Sequence, residues 1–293
     1  MSKLFVPFIT AGYPTMQITK EIIRECDSMN ISYIELGIPY SDPVADGPTI
    51  QRSSEIALAN GTNLDGVFTM LEELSPQSLS TKLVIFSYYN PLFAYGFEKF
   101  CRKCAENGIY AVLIPDLPFE EEAEVVPLLK QYGIVLIPLV APTSRGRLQK
   151  ILQNKDEGFI YCVSSLGVTG ERQNFHSDLQ TFISEIRQVS SLPIAVGFGI
   201  ANRQQAEEIG RFGDGVIIGS KIINIITATY EQMYGSVGGE TAEKQTIDAS
   251  AIVESAGKNT IDACAIAKPA GKQAIDARAI AVEVGKQIAA LRP

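Results

Sequence analysis

Short apolar runs recur along the chain and set its frame. Phe5–Thr10, Tyr33–Ile38, Leu83–Ser87, Ala111–Pro115, Val135–Leu139, Gly158–Val163, Ile194–Gly197 and Gly215–Ile218 are too short for helices and rich in Val, Ile and Phe. Most are apolar on both faces, as strands covered on both sides must be. Between them lie stretches with apolar residues at helical spacing: Met16–Met29, Thr49–Ala59, Leu64–Leu74, Phe97–Ala105, Glu120–Gln131, Arg147–Leu152, Leu179–Val189, Gln204–Phe212 and a last one running on from Lys221. Eight strands alternating with helices predict an α/β fold, the closed (β/α)8 or TIM barrel. A doubly wound open sheet would want a Gly-rich turn after the first strand, and Ala11-Gly-Tyr-Pro14 is a poor fit.

The second strand departs from the all-apolar pattern. Ile34, Leu36 and Ile38 form one face; Tyr33, Glu35 and Gly37 form the other. A carboxylate on the inner face of a buried strand is costly unless it is paired or used. Pro39, Pro43, Gly47 and Pro48 then hold the chain in a loop that carries Asp42 and Asp46. The plain structural reading is a glutamate satisfied by a loop amide; the functional one is an acid held for proton transfer.

Composition narrows the class. The 293 residues are 46% hydrophobic, enough for one large core, and the formal charge of -8 argues against nucleic acid as a partner. No leader-like apolar run opens the chain and no run suits a membrane span, so a soluble cytoplasmic protein is expected. The five cysteines are scattered and read as reduced thiols; Cys101 and Cys104, spaced as CxxC, read as helix-packing residues. His176 is the one histidine, which all but excludes a Ser-His-Asp triad or a multi-histidine metal site.

The end of the chain follows another rule. From Lys244 a 14-residue unit recurs, with Lys244, Lys258, Lys272 and Lys286 at matching positions. Its isoleucines fall at +5 and +9, about 140° apart on a helix, so they form no compact stripe. Gly257, Gly271, Gly285 and Pro269 interrupt it, and the unit is short for a solenoid. The chain is therefore divided into a barrel domain, 1–236, and a low-complexity repeat tail, 237–293, partly helical or disordered and loosely attached, with a docking segment as the alternative. Proteolysis is expected to remove everything after about Tyr234.

Active sites of such barrels gather at the carboxyl ends of the strands. There the sequence places Glu35 and Asp46, then Tyr88 and Asn90, Asp116, Tyr161, the loop Gly167–Gly170, Gly197–Gly199, and Gly219 with Ser220. The last three groups are glycine-bearing turns, and Gly219-Ser220 opens a helix, a setting that favours a phosphate. No lysine or arginine is obviously required. Acids on one side and a phosphate cradle on the other suit a metal-independent lyase or isomerase of a phosphorylated compound.

The segment Glu35-Leu-Gly-Ile-Pro-Tyr-Ser-Asp-Pro-Val-Ala-Asp-Gly-Pro-Thr-Ile-Gln51 resembles the signature of the tryptophan synthase alpha chain family. Phe5–Gly12, Pro115–Pro118, Ser165–Gly170, Gly197–Ile200 and Gly219-Ser220 extend the likeness over about residues 4 to 233. The resemblance implies cleavage of indole-3-glycerol phosphate to indole and glyceraldehyde 3-phosphate. It implies Glu35 as the acid/base, Asp46 as acceptor of the indole N–H, and Tyr161 as the group that positions Glu35. Tyr88 and Phe198 would line the indole pocket. The N–H groups near Thr169, Gly170, Gly199, Gly219 and Ser220 would hold the phosphate. It implies no cofactor in this chain, and a pyridoxal-phosphate beta chain as partner in an alpha2beta2 assembly. Asp42 reads as a cap of its own loop, and Asp116 as a contact of the partner or of Thr169. A barrel without turnover, serving only as a binding subunit of the beta chain, is the competing expectation. Family members begin with a helix that plugs the barrel bottom, whereas only four residues precede Phe5.

Overall fold

The protein is described from a computed structural model, over residues 3–163, 172–197, 199–237 and 275–293, with the side chains of 172–177 left aside. Its strands are β1 (Leu4–Thr10), β2 (Tyr33–Gly37), β3 (Lys82–Phe86), β4 (Ala111–Leu113), β5 (Val135–Leu136), β6 (Leu139–Val140), β7 (Ile160–Val163), β8 (Ile194–Gly197) and β9 (Gly215–Ile218). All ladders are parallel, in the order β5-β4-β3-β2-β1-β9-β8-β7-β6. The two outermost strands are separated in sequence only by Ile137 and Pro138. They are halves of one strand, expected as continuous over Val135–Leu139. Pro138 has no N–H, so the ladder breaks there. Ile137 N–H still bonds Val112 O at 2.9 Å, and Tyr161 N–H bonds Pro138 O at 2.9 Å. This interrupted strand supplies both edges, and the sheet closes as the expected eight-stranded barrel.

The helices are α1 (Met16–Ser28), α2 (Pro48–Ala59), α3 (Leu64–Leu74), α4 (Tyr89–Tyr95), α5 (Phe97–Glu106), α6 (Glu122–Gln131), α7 (Leu148–Leu152), α8 (Arg172–Val189), α9 (Arg203–Gly210), α10 (Ser220–Tyr234) and α11 (Ala277–Ala289). Their starts follow local chemistry. Thr15 and Asn63 accept N–H bonds from Ile18 and Gly66 at α1 and α3, and Pro48 occupies the first turn of α2. Helix α4 lies where the sequence pattern assigned no element; Asp116 accepts the Tyr89 N–H at 2.9 Å and caps it from another loop.

Laterally paired residues of a parallel sheet face the same side, so the register sorts the barrel. Ile34, Leu36, Leu83, Ile85 and Val112 face the helices and are fully buried. Val6, Val84, Ala111, Leu113, Ile137, Phe159, Ala195 and Ile217 fill the interior. Burying each large apolar side chain stabilises by roughly 1.5–3 kcal/mol. At the amino ends of the strands, Tyr33 packs on Tyr110 (5.8 Å between centroids) and Phe159 (5.1 Å), with Lys82 Nζ 4.0 Å from the Tyr110 centroid. This aromatic layer fills the bottom of the barrel.

The chain's last segment joins the barrel wall. Helix α11 packs on α1 and α10 and buries Ala277, Ile280, Ala281, Val284 and Ile288. The stripe is compact because alanines and a valine complete what the isoleucines alone do not. Arg292 Nη1 donates to Met29 O at 3.2 Å. Residues 275–293 thus pack against the barrel wall. The rest of the repeat tail, 238–274, lies outside the described residues.

Candidate active site

Glu35 pairs laterally with Phe8 on one side and Val84 on the other. Val84 is interior, so Glu35 is too. It is 1% exposed, and neither carboxylate oxygen has a hydrogen-bond partner among the described residues. Burial pushes its pKa up to about 8, so the group is mostly a neutral acid at pH 7. An unpaired carboxyl in a closed core is a standing cost to the fold. Among the described residues no loop amide meets it, as the plain structural reading would require.

Tyr161 enters the same interior from β7. Its ring fits because residue 197 is glycine: a Cβ there would lie 2.7 Å from Tyr161 Cε1 and 2.8 Å from Oη. Burial raises the Tyr161 pKa, and negative charge at Glu35 and Asp46 adds to it, so both acids lie within electrostatic reach of the hydroxyl. Asp46 comes from the β2–α2 loop and is half-buried. Burial raises its pKa, while a hydrogen bond from Tyr88 acts the other way. The Tyr88 hydroxyl also accepts the Ala45 N–H at 2.9 Å, and Gln51 Nε2 donates to Asp46 O at 2.7 Å. These bonds pin the loop that carries the acid.

A cavity of about 690 Å³ opens over this group at the carboxyl ends of the strands. Phe8, Phe86, Leu139 and Ile217 give it apolar walls; Asp46 and Tyr161 are its titratable groups on one side. Its far rim is Gly199, Gly219, Ser220, Lys221 and Asn224. Helix α10 begins at Ser220, so the first N–H groups of a four-turn helix lack intrahelical partners and carry the positive end of its dipole. A second cavity, about 530 Å³ between α6 and residues 153–157, lies outside the barrel and holds none of these groups.

Of the residues singled out from sequence, Asp46, Tyr161, Gly199, Gly219 and Ser220 come together on the cavity, with Glu35 buried beside Phe8. Tyr88 is not among the residues described as lining it; at 2% exposed, it braces the Asp46 loop. Asp116 caps α4 within the chain, and Asp42 accepts the Ser41 hydroxyl at 2.5 Å in its own loop. Asn90 donates to Tyr40 Oη at 3.2 Å. Thr169, Gly170 and Phe198 lie outside the described residues. Lys221 and Asn224 were missed; the available signal was their place in the first turn or so of the helix opened by Gly219-Ser220. Cys26, Cys101, Cys104 and Cys162 are buried, and burial raises all four thiol pKa values, to about 12 for Cys26 and Cys162, so they pack rather than react. Among the described residues no helix is long and apolar enough to cross a membrane.

A closed parallel barrel with acids and a glycine rim at the carboxyl ends of its strands defines a TIM-barrel enzyme. The family model of the tryptophan synthase alpha chain matches residues 1–252. The tryptophan synthase alpha chain of Shouchella clausii is 42% identical over 242 residues, 83% of this chain and 90% of that one. Tryptophan synthase subunit alpha from Campylobacter jejuni superposes with a TM-score of 0.71 at 37% identity, over 76% of this chain and 89% of that chain. A chain of the tryptophan synthase complex from Pyrococcus furiosus does so at 0.67 and 31%, over 78% and 93%. The chain belongs to the tryptophan synthase alpha chain family: it is a lyase that cleaves indole-3-glycerol phosphate in tryptophan biosynthesis.

Proposed function

We propose that Glu35 and Asp46 carry the lyase step in the cavity that ends at Gly219 and Ser220. The observation that supports it most is the inward carboxyl of Glu35, without a hydrogen-bond partner among the described residues and held mostly protonated near neutrality. Its proton goes to C3 of the indole ring, which turns the ring into an electron acceptor. Asp46 accepts the indole N–H and balances the positive charge that develops there. The glycerol hydroxyl next to the ring then loses its proton to the Glu35 carboxylate. The bond from C3 to the glycerol arm breaks, its electron pair returns to the ring, and the arm leaves as an aldehyde. One proton and one electron pair move within the substrate, so the step calls for no cofactor in this chain.

Tyr161 orients Glu35. Gly199, Gly219, Ser220 and Lys221 hold the phosphate, joined by Thr169 and Gly170, and Phe198 completes the indole pocket. Residues 1–236 with α11 form the catalytic barrel. A beta chain carrying pyridoxal phosphate takes the indole, in an alpha2beta2 assembly in the cytoplasm. A barrel kept only as a binding subunit would have no use for the cost of Glu35.

The test is indole release from indole-3-glycerol phosphate, with and without a beta chain. Turnover is expected to be slow alone and faster with the partner. Glu35→Gln and Asp46→Ala are each expected to lower it by about 10²–10⁴-fold. Unchanged rates in both variants would remove the mechanism.

A further inference from the structure

Helix α11 lies against α1 and α10 by one face: Ala277, Ile280, Ala281, Val284, Gly285 and Ile288, all buried. Two features fix how it sits. Asp276 caps it, accepting the Ala279 N–H at 3.0 Å, and the Asp276 N–H bonds Tyr234 Oη at 2.8 Å, so α11 starts beside the end of α10. Gly285 rests on α1, where any side chain would run into Glu25 Cγ.

Both features recur two repeat periods earlier. Asp248 corresponds to the cap, and Ala249, Ile252 and Gly257 to Ala277, Ile280 and Gly285. Val253 stands for Ala281 and Ala256 for Val284, a larger and a smaller side chain exchanged within one turn, which keeps the volume. Two contacts are weaker. Thr260 replaces Ile288, and Ser250 replaces Arg278, whose guanidinium lies 3.6 Å from Glu21 and 3.5 Å from Glu25. The middle unit is unfit, because Pro269 falls at the place of Glu283, inside the helix. Reach is no obstacle. The third unit starts next to Tyr234, and the chain from Tyr234 to Asp248 is far longer than that gap.

We propose that the groove between α1 and α10 is a socket for two interchangeable segments of this same chain. Residues 276–288 occupy it by virtue of their better contacts. Residues 248–260 seat in the same register when the third unit is displaced. The duplication thus carries a spare closing helix.

Full-length variants test this. Ile280→Asp puts an unpaired carboxylate on the docking face and unseats the third unit. Limited trypsin digestion then reads which unit is seated. With the first unit docked, Lys258 is protected, and a fragment that runs through Lys258 to Lys272 stays with the barrel whether or not Lys244 in the slack connection is cut. Ile252→Asp alone leaves the Tm unchanged. The double variant is cut at Lys258 and melts at least about 5 °C below Ile280→Asp. Rapid cleavage at Lys258 in Ile280→Asp itself, or equal melting of the single and double variants, overturns the proposal. A rescued chain that runs as a dimer also overturns it, since the segment would then come from a second copy. Should Ile280→Asp not fold, Gly285→Leu with and without Gly257→Leu gives the same comparison, and equal melting of that pair overturns the proposal as well.

Discussion

The two ends of the barrel are built from the same strands and treat buried polarity in opposite ways. On β2, Tyr33 sits in the bottom layer and Glu35 two residues higher. At the bottom, Tyr33, Tyr110 and Phe159 pack edge to face or tilted, and the exposed Lys82 lies over the rings, its charge supported by their π faces. At the top, Glu35 has no hydrogen-bond partner among the described residues, Gly197 gives up a side chain to admit Tyr161, and a large cavity replaces packing. The bottom holds the barrel shut; the top spends part of that stability on an acid kept ready. Lesions at the two ends should therefore separate stability from activity.

The largest effect is expected at the bottom. Phe159 is fully buried and contacts Tyr33 at 5.1 Å. Phe159→Ala leaves a cavity and should cost about 3–5 kcal/mol by denaturant unfolding. The activity of the folded fraction should stay close to that of the parent at low temperature. A variant that keeps its stability but loses turnover would erase the division between the two ends.

Glu35→Gln tests the top by its pH dependence. Folding raises the Glu35 pKa from about 4.5 to about 8. The unfolded chain therefore releases this proton first as pH rises. Below the unfolded pKa both states are protonated and the group costs nothing extra. Between about pH 4.5 and 8 the wild type loses stability, on the order of 3 kcal/mol by pH 7. Glutamine does not titrate, so the stability of the variant relative to wild type should climb across that window. Parallel curves for the two proteins would mean that Glu35 is not buried as an acid.

Much of this was legible in the residues, and the gaps have physical causes. Alternation alone put Glu35 on the face opposite Ile34 and Leu36, because a strand's period is set by its own backbone. The break in the fifth strand was visible as Pro138 but hard to weigh, since its consequence depends on which neighbour each half pairs with. The docking face of α11 escaped a reading that followed isoleucines, because its alanines are apolar only by context. The bonds of Tyr88 to the Asp46 loop were not legible, because which way a residue just past a strand end points depends on the loop that comes to meet it.

Tyr88 also gives the finest test, because its hydroxyl joins the loop to the chemistry. It accepts the Ala45 N–H and donates to Asp46, which lowers the Asp46 pKa against the effect of burial. Tyr88→Phe keeps the ring and its packing against Tyr40 and Phe86. The Ala45 N–H is on an exposed residue and can bond water, so the stability cost should be about 1 kcal/mol. Without the donor, the Asp46 pKa rises further. Asp46 must be charged to balance the indole ring, so the acid limb of the kcat/KM profile should move to higher pH. At alkaline pH, where Asp46 is ionised in both proteins, the rates should differ by only a few-fold. An acid limb that stays in place would show that the proton lost on that side belongs to another group.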